Sequence, residues 1–406
     1  MVPHLTTILP RFTGEGAMRR QPEAILTVCR AIGSTAWRDR RRTPVTTMPR
    51  FRWQMRHGHT ACRHLAHVSG LRFSAAASCQ ARANLPRRFC DLLRARFGRA
   101  VPRSAVDDGR WPGHRPCVVD GSGCAMPDPP AVQAAFGQPT EQRPGGGVPV
   151  ARLLGLFQAG TGVRLTLVVA PLLTHALARV QAVQPSGPPD EGLVADRGRC
   201  ASAPLARLVQ AGVPAVRRVG ARPSVACTPG RPFARPRVRR TAAVNGWPRS
   251  RWRNALGVHD QRVAWLTPKT CPSGLTRETL AAWPETWRLR EVRYGISTPG
   301  FRTRQITLVT TRLAPAVYRV ADLADLYRQR WQVETSLAQL KTTMPMEVWP
   351  CQTVPGVLQA LTVFALVYHL VRMVMCPSAM RHHIGGERLS VLEALRWLGA
   401  PSTGTP

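Results

Sequence analysis

The sequence predicts an α/β protein with a mixed sheet, a β-rich module inserted into it and a helical unit in front of it. Apolar runs of strand length, separated by turn residues, begin after Trp111 and enclose one helical pattern, which is typical of a mixed α/β sheet. Pro-rich turns, five Trp residues and period-two alternation then fill residues 221–315. Helical periodicity is found on both sides, over residues 59–97 and again from Ala321.

The chain begins with residues that lack a regular pattern. Residues 1–50 mix Pro, Arg, Gly and Thr without sustained periodicity, so we expect a poorly ordered extension. Three short helical patterns follow in the region 51–105, where Ser74 is a possible N-cap of the second and Pro86 opens the third. Their arginines indicate a helical DNA-binding region, although an Arg-rich helix face can equally be a solvated surface. The candidate DNA contacts of this region are Arg82, Arg87 and Arg88.

The sheet itself is predicted from five strands and a helix in residues 106–220. The run CVVD ends at Asp120, and the runs ARLLGLF and GVRLTLVVA form a pair joined by a Gly-containing turn. GLVAD ends at Asp196, after which the helical pattern SAPLARLVQAG leads to the short strand VPAVRRV. We expect the second part of this core at residues 316–376, after the β-rich module, and a C-terminal tail over residues 377–406.

The charge balance indicates an acidic partner. The chain has 57 basic and 22 acidic residues, a net charge of +35, and the commonest polyanion is nucleic acid. Only two of the basic residues are lysines, Lys269 and Lys341, and this excess of arginine resembles translation of GC-rich DNA, so part of the charge is discounted. The eleven cysteines form no Cys-x-x-Cys pair and no zinc-type spacing, which favours reduced thiols in the cytoplasm.

One apolar stretch raises the question of a membrane span. Residues 357–375 barely reach spanning length and include Gln359, His369 and Arg372, so a buried core helix is favoured. The N-terminus lacks a continuous apolar segment, so a secretory signal is not expected. We therefore expect a cytoplasmic protein without a membrane partner.

Two aspartates end apolar strands, and a third carboxylate lies on a polar stripe of a helix. Asp120 and Asp196 are expected at the carboxyl ends of buried strands, where open α/β sheets build their sites, although either one alone could simply cap a turn. With successive residues about 100° apart, four side chains of the later helix share a stripe roughly 60° wide at the edge of its apolar face. These four are Tyr327, Arg330, Glu334 and Lys341.

Taken alone, this stripe could be a row of surface ion pairs. Three carboxylates around one site, however, suit two divalent cations about 4 Å apart, which activate a hydroxyl nucleophile and stabilise the leaving oxygen of a phosphodiester. Oxygen ligands and a phosphate substrate favour Mg²⁺ or Mn²⁺ over Zn²⁺.

The stripe also has the spacing of a family signature. Its pattern of Tyr, two residues, Arg, three residues, Glu, six residues and Lys resembles that of the DDE transposases of bacterial insertion sequences, specifically the IS-four family. Supporting matches are WPGHRPCVVDGSGCAMPDPPAVQAAFGQP around Asp120, ADRG at Asp196 and YHLVR near the C-terminus. The resemblance covers about residues 50–398.

This resemblance implies a ribonuclease H-like catalytic core with a β-rich insertion between the second Asp and the Glu. It makes Asp120, Asp196 and Glu334 the catalytic residues, which hold two Mg²⁺ or Mn²⁺ ions in each active site. The further DNA contacts that it implies are Tyr327, Arg330 and Lys341.

The implied function is cut-and-paste DNA transposition of a mobile element. Metal-dependent hydrolysis at the terminal inverted repeats exposes 3′-hydroxyls, which attack target DNA, and the element ends pass through a hairpin intermediate. The implied partners are double-stranded DNA and a second copy of the chain in a synaptic homodimer, in the nucleoid of a bacterial cytoplasm. Two alternatives stay open, namely a catalytically inactive DNA-binding protein derived from a transposase and a metal-dependent nuclease without strand transfer.

Overall fold

Nine strands in the described part of the chain form one mixed sheet, with helices on both of its faces. The computed structural model describes residues 21–32, 43–69, 73–98, 111–139, 146–172, 191–196, 202–219, 250–272, 275–296 and 304–399. Every cysteine within these segments is a free thiol, in agreement with the expectation from the sequence.

A group of helices precedes the sheet. Ser74 caps the fourth of them, as the sequence predicts, because its hydroxyl accepts a hydrogen bond from the N–H of Ala77 at 3.2 Å. The helices in this part of the described chain are α1 (Gln21–Ala31), α2 (Pro44–Arg56), α3 (Cys62–Ser69), α4 (Ala75–Ala83) and α5 (Arg87–Gly98).

The expectation of a poorly ordered extension over residues 1–50 does not hold for α1 and the start of α2. Ile25 and Met48 are fully buried in one core cluster with Phe89 of α5. Each of these helices is too short to be stable alone, so tertiary packing and not local periodicity decides that it forms. Residues 1–20 and 33–42 lie outside the described residues, and the prediction is untested there.

The first five strands form the predicted mixed sheet. Strands β1 to β3 are antiparallel, β4 pairs in parallel with β1, and β5 pairs in parallel with β4. The resulting order, 3-2-1-4-5, agrees with the ribonuclease H-like core that the resemblance implies. In chain order the elements are β1 (Arg115–Ala125), α6 (Pro130–Phe136), β2 (Val150–Gln158), β3 (Arg164–Pro171), β4 (Glu191–Ala195), α7 (Ser202–Gln210) and β5 (Ala215–Val219).

Four more strands continue the same sheet. They are β6 (Ser250–Gly257), β7 (Asp260–Leu266), β8 (Thr286–Ile296) and β9 (Arg304–Thr310), and α8 (Arg277–Ala281) follows β7. All four are antiparallel to their neighbours, and β9 pairs with β5. The strands found within the predicted module of residues 221–315 therefore extend the core sheet, while residues 220–249 lie outside the described residues. Period-two alternation identifies strands but not their pairing partners, so the sequence could not show this.

The signature helix of the prediction is divided into three parts. In α9 (Val320–Arg328) and α10 (Trp331–Ala338) the helix is regular, and a π-helical turn (Gln339–Thr343) follows α10. Between α9 and α10 a tight turn intervenes, in which the N–H of Arg330 donates to the carbonyl oxygen of Tyr327 at 3.0 Å. The prediction of one continuous helix is therefore wrong, because hydrogen bonds three and five residues apart change the angle between successive side chains.

The long apolar stretch forms the middle of α11 (Val354–Arg381). Thr353 caps this helix by accepting the N–H of Gly356 at 3.3 Å. By length and composition α11 could cross a membrane, yet 67% of its apolar window is buried inside the protein. This burial is what the sequence predicts for a core helix.

The predicted tail over residues 377–406 is part of the fold as far as residue 399. Its first residues belong to α11, and its later ones form α12 (Val391–Gly399). Val391 and Ala394 of α12 are buried in the same core cluster as α11.

Successive side chains along the strands point to opposite faces of the sheet. This alternation divides them between two cores and determines on which face the aspartates lie. Val118 of β1 and Val194 of β4 belong to the larger core, which also contains residues of α9, α10 and α11. Val119 belongs to the smaller core on the opposite face, together with α7. Asp120 and Asp196 are two residues beyond the first pair of valines, so both lie on the face that α9 and α10 cover.

Candidate active site

The two aspartates lie side by side on neighbouring strands. β1 and β4 are parallel with Val119 opposite Ala195, and Asp120 and Asp196 are the next residues along each strand. Because adjacent strands are about 4.8 Å apart, the two carboxylates lie at one point of the sheet. β1 continues to Ala125, so Asp120 lies where β1 leaves β4 and not, as predicted, at the end of a strand.

Arg330 joins the predicted catalytic carboxylates. Its Nη1 donates to Oδ2 of Asp120 at 3.1 Å, and its Nη2 donates to Oε1 of Glu334 at 2.6 Å. Burial lowers the pKa of Arg330, but the hydrogen bond with Glu334 and the surrounding charges, Asp196 among them, outweigh burial and raise it. The structure therefore joins Asp120 and Glu334 through one guanidinium, on which the charge of Asp196 also acts.

Tyr327 holds the carboxylate of Asp196. Its hydroxyl donates to Oδ1 of Asp196 at 2.8 Å, and its side chain is buried. Burial and, after it, the hydrogen bond with Asp196 raise the pKa of Tyr327 to about 12. The phenol therefore stays protonated at neutral pH and acts as a hydrogen-bond donor.

Lys341 lies against β1, near the strand position of Asp120. It belongs to the π-helical turn, and its Nζ is 3.5 Å from Oγ of Ser122 and 3.2 Å from Oε1 of Glu347. Turns of this kind are frequently found at functional sites. Tyr327 and Arg330 thus contact the aspartates, Glu334 is joined to Asp120 through Arg330, and Lys341 contacts Ser122, two residues beyond Asp120 on β1, although the helix is broken.

Sequence reasoning missed Glu347. The carboxylate oxygen that meets Lys341 also accepts the N–H of Ala125 at 3.0 Å. No helical periodicity relates Glu347 to Lys341, because the helix ends at Thr343. The one available signal is composition. The chain has only 22 acidic residues, so each of them is a candidate for a specific role.

The family of the chain follows from a match to its central part. Residues 111–370 match the family model described as the transposase DDE domain. The chain belongs to this family. The matched residues contain the three acids and the four signature residues, and the protein is therefore a transposase, an enzyme of DNA transposition.

The chain was also compared with proteins of curated function and with solved structures. No protein of curated function matches the sequence. Among solved structures, the transposase is similar to the piggyBac transposase synaptic complex with hairpin DNA, with a TM-score of 0.46 and 11% sequence identity, over 93% of this chain and 76% of that chain.

The donor set of this DDE transposase suits a hard divalent cation. Asp120, Asp196 and Glu334 offer only carboxylate oxygens, the ligands that Mg²⁺ and Mn²⁺ prefer. Within the described residues, no group of three His, Cys, Asp or Glu is close enough together to hold an ion as it stands. Arg330 bonds two of these carboxylates. The residues fit a metal by their chemistry, and binding one requires that Arg330 release them.

The predicted N-terminal DNA contacts of the transposase differ in exposure. Arg87 and Arg88 are exposed on α5. Arg82 is half-buried, and its Nη1 donates to Oε1 of Gln54 at 2.6 Å while its guanidinium lies 4.2 Å from the ring centre of Phe51. These contacts join α4 to α2 and indicate a structural role for Arg82, whereas DNA contact by Arg87 and Arg88 stays a prediction.

An exposed aromatic side chain stands next to Arg330. Trp331, the first residue of α10, is 51% exposed and lies outside the β-rich module that contains five other tryptophans. Trp331 adds exposed aromatic surface to the site. Of the module tryptophans, the buried ones are Trp265, Trp283 and Trp287, Trp252 is half-buried, and Trp247 lies outside the described residues.

Proposed function

We propose that this transposase catalyses cut-and-paste transposition of an insertion sequence of the IS-four family. In this reaction, metal-dependent hydrolysis at the terminal inverted repeats exposes 3′-hydroxyls, which attack target DNA after a hairpin intermediate on the element ends. The observation that carries the proposal is that Asp120 lies beside Asp196 on neighbouring strands and is joined to Glu334 through Arg330. Two carboxylates from adjacent strands and one from a facing helix suit a pair of divalent ions.

Each residue of the site has its own role in this proposal. Asp120, Asp196 and Glu334 hold two Mg²⁺ or Mn²⁺ ions, which when bound activate the attacking hydroxyl and stabilise the leaving oxygen. Tyr327 keeps Asp196 in one orientation through its hydroxyl. Arg330, once released from the carboxylates, presents its planar fork of N–H donors to a DNA phosphate.

Lys341 supplies a point charge for the DNA backbone. Its side chain is 25% exposed and therefore open to a substrate beside the acids. A compact ammonium meets a phosphate oxygen without the fixed geometry that a guanidinium imposes. The chain uses arginine at almost every other basic position, yet has a lysine here.

The helical region binds the element ends, and two copies of the chain assemble with both ends in a synaptic homodimer. The exposed Arg87 and Arg88 on α5 support phosphate contacts from this region. The net charge of +35 favours association with DNA.

The test uses a labelled duplex of an element end, taken from the DNA that flanks the coding region, together with a target plasmid. We expect binding, cleavage that needs Mg²⁺ or Mn²⁺, and joined product. Glu334→Gln should bind the duplex without loss of affinity and fail to cleave it, because the change keeps the size of the side chain and removes the charge of a metal ligand together with its ion pair to Arg330. Binding without cleavage by the natural chain indicates an inactive DNA-binding protein, and cleavage without joined product indicates a nuclease.

A further inference from the structure

Glu347 is the ion-pair partner of Lys341 and is not part of the four-residue signature. Its Oε1 is 3.2 Å from Nζ of Lys341, which in turn is 3.5 Å from Oγ of Ser122. Both side chains are only partly exposed, at 34% for Glu347 and 25% for Lys341. This ion pair connects the π-helical turn to the segment that follows it, and it differs from a pair on one helix surface.

The carboxylate of Glu347 is itself fixed to β1. Within the described residues, β1 pairs with β2 as far as Ala125, whereas its pairing with β4 ends at Val119. Beyond that point, the N–H of Ala125 donates to Oε1 of Glu347 at 3.0 Å, and the carbonyl oxygen of Ala125 accepts from Nε1 of Trp349 at 2.7 Å. Two side chains of the segment after the π-helical turn therefore make the hydrogen bonds to Ala125 that a neighbouring strand would otherwise make.

A third group lies beside the carboxylate. The thiol of Cys124 lies near Glu347 and donates to the carbonyl oxygen of Ala125 at 3.8 Å, and burial, followed by the charge of Glu347, raises the pKa of Cys124. Cys124 is therefore a neutral thiol and not a second anion that competes for Lys341. Glu347 has a fixed position with its charge directed at one lysine.

We propose that Glu347 is the positioning residue of Lys341. A free lysine side chain samples many rotamers, and ordering it when DNA binds costs conformational entropy. The ion pair with Glu347 holds the ammonium against Ser122, beside Asp120, before DNA arrives. This inference rests on the phosphate contact proposed for Lys341 and concerns how that contact is prepared.

The activity test separates the charge of Glu347 from its hydrogen bond to the strand. Glu347→Gln keeps an acceptor for the N–H of Ala125 and loses the ion pair. We expect it to slow single-turnover cleavage at saturating DNA by roughly fivefold to tenfold, with the Kd for DNA changed less than about twofold. Glu347→Asp keeps the charge on a shorter side chain and should recover part of the rate. Glu393→Gln, which breaks a surface pair with Arg396, is the matched control.

A double variant ties the effect to Lys341. Lys341→Ala alone should slow cleavage roughly tenfold or more, and adding Glu347→Gln should slow it no further, because the two residues act as a unit. Equal rates for Glu347→Gln and the natural chain overturn the positioning role. If Lys341→Ala cleaves DNA at the same rate as the natural chain, both the phosphate contact and the positioning role are overturned.

A second measurement needs no activity, because the chain has only two lysines. Brief acetylation of the DNA-free protein, followed by mass spectrometry, reports how accessible Lys341 is relative to the exposed Lys269. Glu347→Gln should raise the ratio of Lys341 to Lys269 acetylation several-fold, and Glu393→Gln should leave it unchanged. An unchanged ratio in Glu347→Gln overturns the inference even if the transposase reaction is as proposed.

Discussion

At the scale of single residues, Arg330 has one set of partners in the structure and a different one in the proposed reaction. In the structure it bonds the carboxylates of Asp120 and Glu334. In the proposed reaction the same carboxylates hold metal ions, and the guanidinium contacts phosphate. If the proposal is right, Arg330 competes with a metal for these carboxylates until DNA takes up its guanidinium.

Arg330→Ala should bind Mn²⁺ more tightly than the natural chain and cleave DNA more slowly. The change removes a cation that both competes for the carboxylates and repels a metal, so we expect roughly a fivefold lower Kd for Mn²⁺, or about 1 kcal/mol. Titration calorimetry of the DNA-free protein measures this, and Arg330→Lys, which keeps the charge, is the control. Weaker or equal Mn²⁺ binding by Arg330→Ala would contradict the competition.

His59 gives a prediction about pH. Its side chain is buried, and burial, followed by the charge of Arg82, lowers its pKa from 6.5 to about 4 although its Nδ1 lies 2.9 Å from the carbonyl oxygen of Val348. The unfolded chain then binds the proton more readily than the folded chain. Stability from this residue is present above pH 6.5 and is lost as the pH falls towards 4, by up to roughly 3 kcal/mol.

His59→Asn provides the comparison. Asn offers an N–H donor to Val348, tolerates the positive φ of 56° at this position and does not titrate. Urea unfolding of both proteins should show a stability advantage of the natural chain at neutral pH that shrinks in acid. Parallel pH profiles would show that His59 does not titrate as stated.

At the scale of elements, strands were predictable from the sequence and the interruptions of the signature helix were not. Apolar runs and turn residues locate β1 to β5, because a strand is recognised from its own residues. The π-helical turn depends instead on α11, where Nη2 of Arg372 donates to Oε1 of Gln339 at 2.7 Å. A contact between residues far apart in the sequence cannot be predicted from local periodicity.

The same distinction applies to the site. Asp120, Asp196 and Glu334 could be predicted because apolar runs of strand length and the signature spacing are local features of the sequence. Glu347 was not found, because its relation to Lys341 and to Ala125 exists only after the chain folds. Convergence of the three acids was an expectation from the sequence, and the contacts of Arg330 join two of them, Asp120 and Glu334.

Arg372→Met tests how α11 anchors the π-helical turn. Arg372 is buried, and besides Gln339 it bonds the hydroxyl of Tyr368 through Nε at 3.0 Å. Methionine leaves these buried polar groups without their donor, so the free energy of unfolding should fall by roughly 3 kcal/mol. Arg381→Met, on an exposed position of the same helix, should change it by less than about 0.5 kcal/mol in the same urea titration. Equal small effects would argue against an anchor.

At the scale of the whole molecule, the N-terminal helices and the sheet share one core. Nε2 of Gln359 on α11 donates to the carbonyl oxygens of Arg82 and Leu85 at 2.9 and 2.7 Å. Phe89 of α5 and Phe364 of α11 are fully buried in the same cluster. Removing the helical region would expose this core, so substitutions at its surface are the better test of DNA binding.

Replacing Arg87 and Arg88 together by Ala should weaken binding of the element end and reduce its dependence on salt. Each lost phosphate contact lowers the slope of log affinity against log salt concentration by about 0.9, so the slope should fall by roughly two. Fluorescence anisotropy at several salt concentrations measures it. Arg396→Ala, an exposed arginine on α12, is the matched control. An unchanged slope in the double variant would remove α5 from the DNA-binding surface.

We propose that Asp120, Asp196 and Glu334 act together as metal ligands, and a ligand-swap rescue experiment tests this claim. Each acid is changed in turn to its amide and to Cys, and single-turnover cleavage is measured in Mg²⁺ and in Mn²⁺, which accepts sulfur ligands more readily. We predict that all six variants lose cleavage in Mg²⁺ by roughly a thousandfold or more while still binding DNA, and that Mn²⁺ restores activity to Cys variants but not to amides. Cleavage in Mg²⁺ by any one of the amide variants at the natural rate would contradict the claim.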